Sequence, residues 1–568
     1  MLKEITIRFC GEQGSGVQFT GQLMSDYLTR AGYHVFAVND FESRIRGGYS
    51  FVQLCAGTSE VYSIKKEPEV SIPFSRSVVE NDIKTLSPNT VLILPNDSVT
   101  ESIHAFKKHV IDLDKLLDKS SLPFRNTFFV SFLAAFLGTE LELLKDAIQF
   151  NIKRKGTEII ENNLRVAETG YNYARKKDIE DFRLDKPENP KDKKRALSGS
   201  YAISAGAVAS NCRFYAAYPM SPSTSVIERL SGWSEDYGIL TEQAEDEIAA
   251  INLSLGASYA GVRAMVGTSG GGLALMSETV SLAALTEVPI VILNAQRPGP
   301  ATGLPTRTEQ GDLFFTLFMG HGEFTKVLLA PGTHEKAFEL TQKAFYLADK
   351  YQIPVFILTD QYLMDSIKSC KKWSDVREFK KRFIDDRDDY QGSYQRYSFT
   401  EDGISPRKIP GMTEEAVVAD SHTHDESGHI CEDSEIRKKN VEKLLMKKEK
   451  ILKDISPPYI STDIQKDTLL IGWGSTFGVI SDAAQILSEE GFSVCHIHYH
   501  EIYPLNLDYL NPTKPYKKVI SIENNATGQF AKLMQMEGLT IDEKILKYNG
   551  RPFYLDELLS EIKRRLQS

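Results

Sequence analysis

Residues 5–30 read ITIRFCGEQGSGVQFTGQLMSDYLTR, and their order decides the fold class. Ile5–Cys10 is an apolar, strand-like run, GEQGSG is a glycine turn, and Val17–Arg30 carries helical spacing. His34–Val38 follows as the next strand. Strand, glycine turn, helix and strand in succession predict an α/β layer architecture. Gly11, Gly14 and Gly16 stand where the strand gives way to the helix, so backbone amides there can approach a phosphate at the helix N-terminus. The spacing is G-x-x-G-x-G rather than the dinucleotide G-x-G-x-x-G, and a tight turn without a ligand also accounts for it. Arg44, Arg46, Gly47 and Gly48 add a small basic, glycine-rich loop after the next strand.

At roughly 150 residues per domain, a chain this long holds about three to five domains. Hydrophobic residues make up 41% and charged residues 25%, which excludes disorder throughout. The net charge of -10 argues against broad, nonspecific nucleic-acid binding, so anionic ligands would need local pockets. Cys10, Cys55, Cys212, Cys370, Cys431 and Cys495 lie far apart with no CxxC pair. That spacing fits reduced thiols and offers no iron–sulfur ligand set of the usual kind. The most apolar stretch, about Phe128–Gly138, falls short of the ~20 residues of a membrane span. The N-terminus runs into a strand-like alternation with no signal-peptide core, so a soluble cytoplasmic protein is expected.

Asp185–Arg195 (DKPENPKDKKR) reads as an interdomain linker. A second α/β block follows, with strands expected at Ala264–Val266, Ile290–Asn294 and Val355–Thr359. A polar stretch from about Lys371 to Lys453 reads as a connector, and a third block opens with the strand LLIGWGS and ends in the amphipathic helix Leu555–Leu566. The expected boundaries are 1–185, a linker at 186–196, 197–370, a connector at 371–460, and 461–568.

Four segments of the later blocks carry residues suited to chemistry. YPMSPST (Tyr218–Thr224) precedes a helical stretch, Val226–Leu230. Composition favours a capping turn with Ser223 or Thr224 as N-cap over a loop whose hydroxyl meets a bound anion. TEQAEDEIAAI places Glu242, Glu245, Asp246 and Glu247 at the start of a helix, where acids complement the macrodipole. Small residues follow (Ala249, Ala250, Gly256, Ala257), which indicates close packing; a carboxylate leading such a helix, once buried, suits proton chemistry. GTSGGGLALMSE (Gly267–Glu278) and NAQRPGPATGLPTRTEQGD (Asn294–Asp312) follow buried strands, where loops of an open α/β sheet bind ligands. Arg297 and Arg307 lie in the second, and an arginine there can hold a carboxylate bidentately. His496, His498 and His500 alternate on one strand face without a matching acidic or cysteine partner, and His422, His424, His429 and Cys431 lie in the connector; neither group makes a strong metal site.

These segments, in this order, resemble the 2-oxoacid:ferredoxin oxidoreductases in which a gamma-type domain is fused ahead of the alpha subunit. GEQGSGV with FESRIRGGYS looks like the gamma start, and YPMSPST, EDEIAAINLSLGAS, TSGGGLALMSE, QRPGPATGLPTRTEQGD, SHTHDESGHICED and GWGSTFG follow. The resemblance implies a gamma-type α/β domain, a thiamine pyrimidine-binding α/β domain and a transketolase C-terminal-like α/β domain. It implies oxidative decarboxylation of a 2-oxoacid to an acyl-CoA with thiamine diphosphate and coenzyme A, electrons passing to ferredoxin. A beta subunit would carry Mg²⁺ and the iron–sulfur cluster in an (alpha–beta)₂ assembly. In this chain no GDG…N motif and no CxxC are present. Glu247 then matches the glutamate that hydrogen-bonds the aminopyrimidine, Ser221 the hydroxyl residue on the substrate carboxylate, and Arg297 the arginine that pairs with it. Serine stands at 221 where threonine is common, and Gln13 stands where many relatives have glycine. The substrate leans to 2-oxoglutarate, with pyruvate, branched-chain and aryl oxoacids as alternatives. Two other readings remain at this point: a catalytically silent binding or regulatory paralogue, and a nicotinamide enzyme using the first glycine loop.

Overall fold

The computed structural model describes residues 2–43, 47–177, 182–187, 193–387, 394–412, 414, 416–461, 466–507, 510 and 516–567. Arg44 and Arg46 lie outside the described residues. In chain order the strands begin with β1 (Glu4–Gln13), β2 (His34–Asp40), β3 (Gly47–Gly57), β4 (Val70–Pro73), β5 (Val91–Pro95), β6 (Lys108–Ile111) and β7 (Arg195–Ser198). Next come β8 (Cys212–Ala217), β9 (Leu240–Gln243), β10 (Arg263–Thr268), β11 (Ile290–Gln296), β12 (Val327–Leu329) and β13 (Pro354–Asp360). The series ends with β14 (Ile367–Cys370), β15 (Tyr459–Ile460), β16 (Thr468–Trp473), β17 (Val494–Tyr499), β18 (Glu501–Tyr503), β19 (Lys518–Glu523) and β20 (Glu543–Leu546). They form three sheets with helices between them, the mixed α/β architecture expected.

Met1–Ser198, Asp365–Trp373 and Phe553–Ser568 make one compact unit. Its sheet runs β6-β5-β4-β1-β3-β2-β14-β7. The apolar run of β1 is buried on both faces because β4 pairs beside it in parallel and β3 antiparallel, while helices cover the sheet. Pairing with β3 reaches Gln13↔Gly47, so β1 extends three residues beyond the expected Ile5–Cys10. The helix occupies Val17–Arg30 as its spacing predicts. The linker-like segment ends in a strand, since β7 pairs antiparallel with β14. The amphipathic C-terminal helix, Leu555–Gln567, belongs to this unit and not to the last sheet with which the sequence groups it. Leu555 N donates to Ile64 O at 3.0 Å, and Lys66 N to Asp556 Oδ1 at 3.0 Å.

Gly199–Met364 and Ser374–Pro552 form the second unit, with two sheets over one core that includes Val266, Ile292, Phe356, Trp473 and Phe530. The larger sheet runs β18-β12-β13-β11-β10-β8-β9. Every pair is parallel except β12 with β18, so the C-terminal ends of β8 to β13 share one edge. The chain leaves β8 for β9 on one side and returns to β10 on the other, which opens a topological switch point between β8 and β10. The smaller sheet runs β15-β17-β16-β19-β20.

The polar connector is fastened by buried charge. Its helix, Ser434–Leu452, is capped by Asp433, and its Lys443 and Lys447 reach the buried Glu287 carboxylate at 2.6 and 2.7 Å. Burial alone would raise the Glu287 carboxyl, but Lys447, Lys443 and Arg396 around it hold it well below the usual range. His424 packs its ring on Tyr397, centroids 3.9 Å apart, and no metal-binding cluster exists among the described residues. No helix among them is long and apolar enough to cross a membrane.

His496, His498 and His500 are buried and neutral. His496 Nε2 and His498 Nδ1 lie 3.3 Å apart, His498 Nε2 lies 2.9 Å from Gly474 O, and the Phe477 ring packs on all three. Burial pushes His496 and His500 down to about 3, and His498 well below its ordinary value. Their stability contribution is whole above the unfolded-state value of about 6.5 and drains as pH falls toward 3. Each should therefore cost about 1.4 kcal/mol of stability per pH unit over that window. Urea unfolding midpoints measured from pH 7 to 5 check this: His496→Gln should flatten the slope, and an unchanged slope refutes it.

Candidate active site

The second unit's parallel edge gathers the loops after β8, β9, β10, β11 and β13. Asp246 caps the helix Glu247–Tyr259, accepting from Ala249 N at 2.7 Å, so the acid cluster does supply a cap. Glu247 is different. It is 3% exposed, and its Oε1 is buried without a hydrogen-bond partner, an arrangement that packing alone disfavours. Glu245, two residues earlier, is exposed.

The triple glycine explains how that carboxyl fits. A Cβ on Gly272 would lie 2.5 Å from Glu247 Oε1 and would also strike Thr268 Oγ1. Only glycine lets the helix after β10 approach the carboxyl this closely. Met220 Sδ lies 4.0 Å from the same Thr268 Oγ1, which brings the YPMSPST loop alongside. Ser223 occupies the N-cap position of the helix Thr224–Gly232, yet its hydroxyl makes no cap and donates to Met220 O at 2.7 Å. The capping turn expected there is therefore corrected: the hydroxyl braces the loop.

Arg297, at the end of β11, donates from a guanidinium nitrogen to Ser221 O at 2.8 Å. The contact uses the backbone carbonyl of Ser221 and not its hydroxyl. Burial lowers the Arg297 guanidinium from its ordinary value, and the charges of Asp312 and Glu247 oppose that. Glu247, Ser221 and Arg297 thus meet at the switch-point edge, whereas Arg307 packs along Gly550. Gly11, Gly14 and Gly16 belong to the other unit. Gly14 and Gly16 have φ of 91° and 85°, and a Cβ on Gly11 would lie 2.5 Å from Ser15 Oγ, so the turn itself demands glycine. Ser15 Oγ is buried and unpartnered, and Phe74 N donates to Cys10 O at 2.9 Å, setting the start of helix Arg76–Ile83 beside this loop.

Several polar residues of the edge have no separate signal in the sequence. Asn294 Nδ2 donates to Asp312 Oδ2 at 3.0 Å, while Asn294 Oδ1 and Ser269 Oγ are buried and unpartnered. Gln310 ties its loop to the smaller sheet, donating to Trp473 O at 2.8 Å and accepting from Asn524 N at 2.9 Å. Asp360, which ends β13, is raised by burial to about 6 and accepts from the Ser475 hydroxyl and from Leu363 N.

The chain is similar to known proteins along its length. A family model described as pyruvate flavodoxin/ferredoxin oxidoreductase, thiamine diphosphate-binding, matches residues 205–443, and one for pyruvate ferredoxin/flavodoxin oxidoreductase matches residues 6–173. The alpha subunit of a 2-oxoacid:ferredoxin oxidoreductase from Sulfolobus sp is 30% identical over 619 residues, covering 96% of this chain and 95% of that one. This chain belongs to the 2-oxoacid:ferredoxin oxidoreductase family. The 2-oxoglutarate synthase subunit KorA of Methanocaldococcus jannaschii is 31% identical over 333 residues, 58% of this chain and 88% of its own. A solved structure, 2-oxoglutarate:ferredoxin oxidoreductase from Magnetococcus marinus with 2-oxoglutarate, coenzyme A and succinyl-CoA bound, matches with a TM-score of 0.91 at 29% identity, covering 100% of both chains.

Within this oxidoreductase chain the glycine run makes unequal demands. Gly272→Ala should destabilise by about 1–3 kcal/mol through overpacking against Glu247 and Thr268. At Gly271 the nearest atom to an added Cβ is 3.7 Å away, so Gly271→Ala should stay within about 0.5 kcal/mol of the parent. Denaturant midpoints of the two variants provide the check, and equal losses would contradict the close approach.

Proposed function

We propose that this chain is the gamma-fused alpha subunit of a 2-oxoacid:ferredoxin oxidoreductase and holds the pyrimidine side of a shared thiamine diphosphate site. On this reading 1–185 is the gamma-type domain, 197–370 the pyrimidine-binding domain and 461–568 the transketolase C-terminal-like domain, joined by 186–196 and 371–460. The observation that carries the proposal is the buried, unpartnered Glu247 Oε1 at the switch-point edge. An acceptor so placed fits a ring nitrogen able to share a proton, as the aminopyrimidine does. When bound, thiamine diphosphate would supply a carbon nucleophile for the 2-oxo carbon. Glu247 holds the exchanging proton, Arg297 binds the substrate carboxylate, the Ser221 hydroxyl hydrogen-bonds it, and the glycine run keeps water from the carboxyl.

A beta subunit carries the diphosphate–Mg²⁺ site and an iron–sulfur cluster in an (alpha–beta)₂ assembly that delivers electrons to ferredoxin. Support comes from relatives that are themselves named alpha subunits. Substrate choice leans to 2-oxoglutarate, the oxoacid bound in the Magnetococcus marinus structure, and the product is an acyl-CoA. Gly11, Gly14 and Gly16, with the Ser15 hydroxyl, suit the phosphates of coenzyme A. A cytoplasmic location fits the six cysteines, which form no CxxC pair and five of which are buried.

In the assembled complex, Glu247→Gln should lower turnover by ~10²-fold or more, the scale of a lost acid–base group. Glu245→Gln alters the same helix terminus without touching the crevice and should leave turnover within about twofold. Steady-state kinetics on both decide it, and equal effects would reduce Glu247 to a helix charge. Arg297→Lys keeps the charge but loses the planar fork. It should raise the KM for the oxoacid ~30–150-fold, equivalent to about 2–3 kcal/mol, with thiamine diphosphate affinity unchanged. Titration of each ligand separates the two effects, and unaltered oxoacid kinetics would remove Arg297 from the carboxylate site.

A further inference from the structure

The loop that leaves β11 begins with Arg297 and closes on the residues that precede it. Asp312 N donates to Gln296 Oε1 at 3.0 Å, and Asn294 Nδ2 donates to Asp312 Oδ2 at 3.0 Å. Gln296 also donates from Nε2 to Thr359 O of β13 at 3.2 Å. The residue directly before Arg297 is therefore bonded both to the neighbouring strand and to the returning end of the loop. Where the loop closes bears on where Arg297 starts.

The closing end is held from the smaller sheet by two carboxamides. Gln310 N donates to Asn524 O at 2.7 Å, while its side chain accepts from Asn524 N at 2.9 Å and donates to Trp473 O at 2.8 Å. Gln529 holds the stretch on either side of Asp312. Its Nε2 donates to Gly311 O at 2.7 Å, and its Oε1 accepts from Phe314 N at 2.8 Å. One side chain thus meets an acceptor and a donor of the same segment, which fixes orientation as well as distance.

The sequence after β19 builds a rigid mount for Gln529. It is the first residue of the helix Gln529–Met536, where backbone amides lack intrahelical partners. Glu523, fully buried at the end of β19, accepts from Phe530 N and Ala531 N at 2.8 Å each. The same carboxylate takes the Ser521 hydroxyl at 3.0 Å and Asn525 Nδ2 at 2.9 Å, and Asn525 Oδ1 accepts from Gly528 N at 2.8 Å. A buried carboxylate is a costly way to begin a short helix, and its charge-assisted bonds leave that helix start little freedom.

We propose that Gln529 is a positioning residue for oxoacid binding, fixing the closing end of the loop that Arg297 opens. The smaller sheet then takes part in substrate binding without placing a group in the crevice. A binding residue is only as precise as the residues that hold it, and small displacements of such a group are costly. The inference rests on Arg297 being the carboxylate-binding residue.

The test uses the assembled enzyme with Gln529→Met, which keeps the side-chain volume and removes both hydrogen bonds. KM for the oxoacid should rise on the order of tenfold, as for a binding group displaced by a fraction of an ångström. kcat should hold within about threefold and thiamine diphosphate affinity should not move, since the loss is one of uniform oxoacid binding. Combination with Arg297→Lys gives the decisive reading. If Gln529 acts through Arg297, adding Gln529→Met to Arg297→Lys raises KM by less than about twofold, whereas independent effects multiply. An unchanged KM in Gln529→Met overturns the proposal, as do multiplying effects or a loss confined to kcat. Gln529→Glu keeps the acceptor for Phe314 N but loses the donor to Gly311 O. It should raise KM too, and it decides by the same cycle if Gln529→Met does not assemble. Failure of both to assemble marks a purely structural role and also overturns the proposal. If Arg297→Lys raises KM while Gln529→Met does nothing, only the positioning role fails. If Arg297→Lys leaves KM alone, the carboxylate reading fails and this inference with it.

Discussion

The arrangement depends on a carboxyl oxygen, Glu247 Oε1, buried at a helix start with nothing to bond. A lone unsatisfied acceptor of this kind is destabilising, and a chain folded only for stability would bury an apolar residue there. Everything beside it accommodates the cost. Asp246 takes over the capping that Glu247 could have supplied, and Gly272 removes the one methyl group that would displace the carboxyl. Met220 and Thr268 bring the YPMSPST loop to the same wall, and Arg297 bonds that loop's backbone. The parallel sheet makes this possible because five loops emerge from a single edge.

Rigidity comes from outside the edge. Gln310 and Asp360 bond the ends of the loops to the smaller sheet, so the site has walls from two layers over a continuous core. The connector contributes from the far side through Glu287, Lys443 and Lys447. Such a buried ion cluster adds little net stability over an apolar one, but it admits few alternative registers for a long polar segment. The loss of one partner would leave an uncompensated charge, so the segment is held in place by the penalty for leaving.

Local signals were legible and tertiary ones were not. The helix Val17–Arg30 follows from periodicity within its own residues, and its ends match. β1 ran longer than its apolar core because strand length is set by the partner, and Gly11 and Gln13 pair with β3 despite their composition. The C-terminal helix was plain as an amphipathic helix, yet amphipathicity does not say which sheet a helix covers. Lys443 and Lys447 stand one helical turn apart in the polar connector, and nothing in their own segment shows that both meet Glu287. Glu247 and Arg297 came from ordered motifs, while Asp312 drew no attention. Its meaning lies in Asn294, eighteen residues upstream and on a different element.

The helix that begins with Glu247 shows why the chain reads as one part of a larger enzyme. Its small residues promise close packing, and on the buried face Ala250, Ile251 and Ser254 deliver it. On the other face Ile248 and Leu253 are 48% and 43% exposed, and Gly256 faces open space. Leu275, Leu304 and Phe318 extend the apolar exposure along the neighbouring segments. Scattered exposed apolar residues are ordinary, but these lie on the segments that build the crevice. A small-residue face costs little side-chain entropy to cover and lets another backbone approach closely. A chain whose family relatives are named subunits thus leaves open a face on the helix that starts at a buried, unpartnered carboxyl.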